Sequence, residues 1–187
     1  MLKYIDCYNS LGSLVGLSAL LLITLENFYK TDNFLLKIGC LQTFYILELF
    51  NIIIGMSKAK IFPTILQLSS RLFIIWPICH RFQYTQGIVH LMLYCWFFSD
   101  TIRYLFYLSR NRFFKFLRYN LFLFFYPIGT YCEIVLVSRT ESISIGLFKY
   151  LLRTIMLFYI PGFVFLFFHM LKRRKWTSKT EKTAKQD

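Results

Sequence analysis

Acidic side chains are scarce: Asp+Glu number 9 against Lys+Arg 22 in 187 residues, and only 17% of the chain is charged. A soluble domain carries about 25% charged residues and about 45–50% apolar ones. Here the apolar share is 57% and the mean hydropathy +0.51. That composition excludes intrinsic disorder, which requires low hydrophobicity. It also argues against a lone soluble core, because a chain this short cannot hide so much Phe and Leu by folding on itself. The five cysteines (Cys7, Cys40, Cys79, Cys95, Cys132) are odd in number and include no C-x-x-C. No disulfide framework and no metal-ligand spacing is present, and the cysteines read as small buried apolar residues. Strict apolar–polar alternation is missing too. Segments such as LLLITL and LFLFF are apolar on consecutive positions, which excludes a transmembrane β-barrel.

What is present is a series of runs long enough to cross about 30 Å of hydrocarbon as helix. Nineteen uncharged residues lie between Asp6 and Glu26, eighteen between Arg81 and Asp100, and eighteen between Arg153 and Lys172. Three more stretches are as apolar but carry internal charges. The pattern predicts an all-α integral membrane protein with six transmembrane helices, at roughly 10–27, 34–55, 61–79, 87–108, 116–137 and 147–171. They form one domain over 1–171, followed by a basic tail over 172–187. Asn27, Phe28 and Tyr29 make no small-residue cleavage site, so the first run is read as a span and not as a leader.

Lys and Arg in short loops set orientation. Lys58 and Lys60, then Arg110, Arg112 and Lys115, then the tail from Lys172 to Lys185 lie on one side. The other side has Lys30, Arg81 and Arg139 in its loops. Both termini are therefore expected in the cytosol. The net charge of +13 raises nucleic acid as a partner, with the KRRK run Lys172–Lys175 as its best support. A polybasic segment beside the last span is better explained as a topology determinant that meets anionic lipid, and no nucleic-acid module accompanies it.

Charges at membrane depth are costly, about 2.5–3.5 kcal/mol each on insertion scales, and face partners or a polar cavity. That set is Glu48, Arg71, Asp100, Arg103, Arg118 and Glu133. Three acids and three bases suggest interhelical ion pairs. Glu133 stands apart because of Tyr126, seven residues earlier: seven steps of a helix fall about 20° short of two full turns and rise about 10 Å. The two polar groups share one face, Tyr119 extends the stripe, and Pro127 with Gly129 between them predicts a kink. Taken singly, Tyr126 reads as a packed aromatic and Glu133 as half of a salt bridge. Together they suggest a polar cavity but name no reaction.

Several segments resemble one family, the very-long-chain 3-hydroxyacyl-CoA dehydratases, also called the protein tyrosine phosphatase-like A family. RYNLFLFFYPIGTYCE, from Arg118, is similar to its Arg-Tyr, apolar run, Tyr-Pro-Ile-Gly and Glu. WFFSDTIRYLFY (Trp96–Tyr107), TILQLSSR (Thr64–Arg71), YIDCYN near the start, and YIPGF and HMLKRRK near the end match in order. Asp100 stands where the family usually has Glu, and Asn51 where His often follows. A phosphatase loop needs Cys, five residues, then Arg, and no cysteine here has that spacing.

The resemblance implies removal of water from a long- or very-long-chain 3-hydroxyacyl-CoA to give the trans-2-enoyl-CoA, in fatty-acid elongation at the endoplasmic reticulum membrane. Tyr126 and Glu133 match its catalytic pair. Elimination needs a base for a C2 proton and an acid for the leaving hydroxyl. Glu133 is assigned the first role and Tyr126 the second, with the reverse also open. Arg118, Arg110, Arg112 and Lys115, together with Arg71 and Arg103, are candidates to bind the substrate, the loop cations by holding CoA phosphates. For the loop residues a topology signal is an equal explanation. No metal or further cofactor is required, CoA being part of the substrate. Expected partners are the acyl-CoA, membrane lipid and other elongation enzymes. The alternative is a non-catalytic membrane scaffold of the same fold.

Overall fold

Inside a bilayer every backbone N–H and C=O must be satisfied within the protein, which leaves continuous apolar segments only the helix. The computed structural model describes residues 2–57, 60–85, 87–109 and 111–183, with side chains over the same ranges except 2–3, 169 and 173–183. It is all-helical: α1 Leu2–Phe28, α2 Phe34–Phe44, α3 Leu47–Ile53, α4 Ile61–Phe73, α5 Gly87–Ser109, α6 Arg112–Ile143 and α7 Leu147–Thr183. Five segments are long and apolar enough to cross a membrane, namely Tyr4–Phe28, Phe34–Ile53, Ile61–His80, Arg112–Ile143 and Leu147–Lys172. The chain is thus a multi-pass membrane protein.

Neighbouring helices run antiparallel, as short connections require. Along α1 and α5, Gly12 faces Tyr104, Gly16 faces Thr101 and Thr24 bonds Tyr94. Along α6 and α7, Phe122 stacks on Phe167, Tyr126 on Phe163, and Glu141 pairs with Arg153. Gly146, at φ 67, lets the chain reverse between α6 and α7 within a few residues. α5 lies at the centre, between α1 and α6, and buries Val89, Met92, Leu93, Phe97 and Tyr104. It also carries His90, Asp100 and Arg103, which lower its hydropathy and keep it out of the five apolar segments.

Two spans depart from regular helix. At Tyr45–Ile46, between α2 and α3, successive i→i+3 bonds tighten the turn (Tyr45 N to Gln42 O at 3.2 Å, Ile46 N to Thr43 O at 3.0 Å). The Tyr45 ring there stacks on Tyr104 with centroids 5.6 Å apart. After α4 the chain continues as a π-helical segment, Ile74–His80, around Pro77. Proline has no N–H for the helix ladder, and a π-bulge accommodates the loss. By contrast α6 passes Pro127 as one uninterrupted 32-residue helix, and α7 continues from its apolar stretch into the basic segment up to Thr183.

Candidate active site

Ionisable groups do chemistry inside a membrane only where they reach a cavity. Tyr126 and Glu133 both line a chamber of about 400 Å³ enclosed by α4, α5, α6 and α7. The shared face of α6 read from the seven-residue spacing therefore points into one cavity. Tyr119, the next step of that stripe, is not part of this chamber's wall and lies beside the Arg118 guanidinium, 5.9 Å from its ring centre.

Glu133 is 7% exposed. Trp96 Nε1 of α5 donates to its Oε1 at 2.9 Å, and Tyr159 OH of α7 donates to its Oε2 at 2.9 Å. Among the described residues it makes no ion pair, so the salt-bridge reading of Glu133 does not hold. α5 packs against Gly129, one turn before Glu133, where a Cβ would make ordinary contact with Trp96 ring atoms at 3.6 Å. Tyr126 is half-buried, its ring between Phe122 and Phe163 at centroid distances of 4.8 and 5.1 Å. Its hydroxyl has no hydrogen-bond partner among the described residues. One group is therefore fixed by two donors, while the other has its proton uncommitted.

The expected interhelical pairs do form around Asp100. Arg71 Nη1 meets Asp100 Oδ2 at 2.5 Å, and Arg103 Nη2 lies 2.7 Å from Glu48 Oε2 and 3.7 Å from Asp100 Oδ1. Tyr104 OH donates to the same Glu48 oxygen at 3.1 Å. Arg71 nevertheless lines the chamber, with its guanidinium over the Trp96 ring at 5.3 Å. A second, smaller cavity of about 130 Å³ adjoins the chamber at Gln67, Ser99, Phe122, Tyr126 and Leu166. Arg103, Arg118 and Lys60 line it. Arg118 donates to Tyr107 OH at 3.2 Å and keeps its charge at the cavity wall.

Arg112 is exposed, and neither it nor Lys115 lines either of these two cavities; Arg110 lies outside the described residues. Three participants were not picked out by sequence reasoning. Lys60 reads from sequence only as a loop charge, and Trp96 and Tyr159 each as one residue of a matched segment, WFFSDTIRYLFY and YIPGF. A further signal for Tyr159 is its polar tip inside the apolar run LFYIPGF. Among the described residues no three or more His, Cys, Asp or Glu side chains gather as a metal site would need.

The family model described as protein tyrosine phosphatase-like protein, PTPLA, matches residues 42–180. A probable very-long-chain (3R)-3-hydroxyacyl-CoA dehydratase of Schizosaccharomyces pombe is 31% identical, over 95% of this chain and 94% of its own. The very-long-chain (3R)-3-hydroxyacyl-CoA dehydratase 1 of Mus musculus is 32% identical, over 88% of this chain and 66% of its own. The Caenorhabditis elegans dehydratase hpo-8 is 32% identical, over 92% and 93% respectively. No solved structure matches the chain. Every residue lining the two cavities falls within the matched 42–180. With that match, and with the Schizosaccharomyces pombe and Caenorhabditis elegans relatives covered over 94% and 93% of their length, the chain belongs to the PTPLA family.

Proposed function

We propose that this protein is a very-long-chain 3-hydroxyacyl-CoA dehydratase, a hydro-lyase acting in fatty-acid elongation. The observation that carries the reading is the pairing of Tyr126 and Glu133 in one chamber, with the Glu133 carboxylate gripped from two other helices. The names of its relatives supply the substrate class. In this reading the Glu133 carboxylate takes a proton from C2. The C2–H electrons form the C2=C3 bond as the C3–O bond breaks. Tyr126 donates its phenolic proton to the departing hydroxyl, which leaves as water, and proton return from Glu133 to Tyr126 closes the cycle. The two donors on Glu133 favour this assignment over the reverse, because Trp96 and Tyr159 both give protons toward carboxylate oxygens. Each positioned group is typically worth about 10²–10⁴ in rate. The reaction draws on these side chains and the thioester alone, and requires no metal or cofactor.

The smaller cavity, with Arg103, Arg118 and Lys60, is proposed to receive the polar thioester and phosphate end, and Arg71 to steady the chamber side. Arg110, Arg112 and Lys115 would then act at the rim, by long-range attraction of CoA phosphates. α5 is counted as the sixth span because its polar side chains face neighbouring helices, while its exposed large apolar residues are Leu91 and Phe98. With six spans the basic loops and both termini lie in the cytosol, where the CoA substrate is, and an endoplasmic reticulum membrane and contacts with other elongation enzymes follow from the same activity.

The test is turnover of 3-hydroxystearoyl-CoA to the enoyl-CoA by protein in liposomes. Tyr126→Phe and Glu133→Gln are each expected to lower kcat by at least about a hundredfold, with folded yield retained. Wild-type inactivity despite acyl-CoA binding would favour the scaffold. Activity surviving both substitutions would put the chemistry elsewhere.

A further inference from the structure

α7 is the least enclosed of the membrane segments, with 6% of its apolar window buried against 28–33% for the other four. It rests on α6 through the Phe122, Tyr126, Phe163 and Phe167 stack. Against α4 it makes only a thin seam. Phe62 meets Phe165 edge-on, 5.4 Å between ring centres, and Gly162 faces Leu66, whose Cδ2 is 3.9 Å from where a Cβ on Gly162 would be. The chamber wall includes Ser69 of α4 and Phe158 of α7. Both are exposed, Phe158 to 70%, so the chamber opens sideways between these two helices, into the region that hydrocarbon occupies.

The volume makes that opening necessary. Pockets of about 300–1,000 Å³ enclose a drug-sized ligand, and this chamber, at about 400 Å³, is near the lower limit. It holds the reacting carbons and the first part of a tail, and cannot hold a very long saturated chain. Outside the seam, a tail meets Ile65 and Phe62 on α4 and Phe158 and Phe165 on α7, all exposed and apolar. A methylene chain gains nothing from a closed tunnel when lipid is as apolar as the tunnel wall.

We infer that the acyl tail leaves the chamber laterally between α4 and α7 and lies in the bilayer, with Gly162 opposite Leu66 setting the width of the opening. The inference rests on the dehydratase reading and adds to it the route of the tail. On this route the protein does not measure the far end of the chain, and tolerance for long tails comes from the opening at Ser69 and Phe158, with the Gly162–Leu66 contact at its edge.

Two measurements on the full-length protein in liposomes test it. For Gly162→Leu, whose side chain fills the seam, the ratio of kcat/KM for 3-hydroxystearoyl-CoA to that for 3-hydroxyhexanoyl-CoA is expected to fall at least about tenfold. For the unaltered protein, a 3-hydroxystearoyl-CoA with pyrene on its terminal carbon is expected to turn over as the unlabelled substrate does, because the label sits in lipid. An unchanged ratio in a folded variant, or refusal of the pyrene tail while the unlabelled substrate is processed, overturns the lateral route. Should Gly162→Leu not fold, the pyrene substrate decides alone. If the unaltered protein processes none of these substrates, the dehydratase reading fails first and the route goes with it.

Discussion

Trp96 and Tyr159 reach Glu133 from helices on either side of it, so the carboxylate has one orientation and not several. A hydrogen bond to a charged group is worth about 1.5–3 kcal/mol. Trp96→Phe and Tyr159→Phe should therefore each lower kcat roughly tenfold to a hundredfold, with KM little changed, since neither group is needed to hold the CoA end. Steady-state kinetics on 3-hydroxystearoyl-CoA checks this; a rise in KM at constant kcat would mean that they bind substrate and do not position the base. The pair Glu48 and Arg103 behaves differently. Breaking a buried pair by removing one charge costs about 3–5 kcal/mol, and Glu48 is 4% exposed. Glu48→Gln should thus lower the unfolding midpoint in detergent clearly, while Arg153→Gln, at an exposed pair with Glu141, should hardly move it. Of this site, the spacing of Tyr126 and Glu133 could be read from sequence because both are on one helix, where the 3.6-residue period fixes direction. Trp96 and Tyr159 could not, because their approach depends on how α5 and α7 cross α6, and no local period encodes that.

At the level of helices, α1 and α5 touch through small residues. Gly12 and Gly16 form a G-x-x-x-G step, and close backbone approach is what such steps provide in membranes. A Cβ on Gly16 would lie 2.2 Å from Thr101 Oγ1 and 3.4 Å from Thr101 Cα, and one on Gly12 would lie 2.9 Å from Tyr104 ring atoms. Because Tyr104 also bonds Tyr8 at 3.0 Å and Glu48 at 3.1 Å, the face of α1 braces the charged network. Gly16→Leu is expected to destabilise by about 1–3 kcal/mol through overpacking, read as a lower detergent unfolding midpoint, whereas Gly87→Ala, with nothing within 4 Å, should leave it where it is. Helix covers the expected 61–79 as Ile61–His80 and the expected 87–108 as Gly87–Ser109, the latter outside the five segments apolar enough to cross a membrane. The expected 10–27 and 116–137 lie within the longer Leu2–Phe28 and Arg112–Ile143. Hydropathy did not reveal the tight turn at Tyr45–Ile46, where the Tyr45 ring stacks on Tyr104 of another helix, or that the chain meets Pro77 with a π-helical segment and not with a break. The kink expected at Pro127 does not divide α6, which is one element from Arg112 to Ile143.

For the molecule as a whole, apolar length and loop charge make separate statements, one about how many segments cross and one about which way. The five apolar segments are shared by both lines of reasoning, and α5 is the case where they part: a central helix can carry Asp100 and Arg103 because Arg71 and Glu48 neutralise them within the bundle. The orientation proposed above puts Lys60, Arg103 and Arg118 at the cytosolic end, where a soluble acyl-CoA arrives, and Glu133 deeper. α6 is the segment to test, because its 32 residues span about 48 Å at 1.5 Å per residue, more than the hydrocarbon thickness of about 30 Å, enough for its two ends to emerge on opposite sides. Phe113, 59% exposed, and Ile145, 91% exposed, mark those ends. With the five native cysteines replaced, Phe113→Cys in sealed microsomes should react with a membrane-impermeant maleimide, and Ile145→Cys only after permeabilisation. The reverse pattern would invert the protein and remove the cytosolic entry for CoA; equal labelling of both sites in sealed vesicles would mean that α6 does not cross.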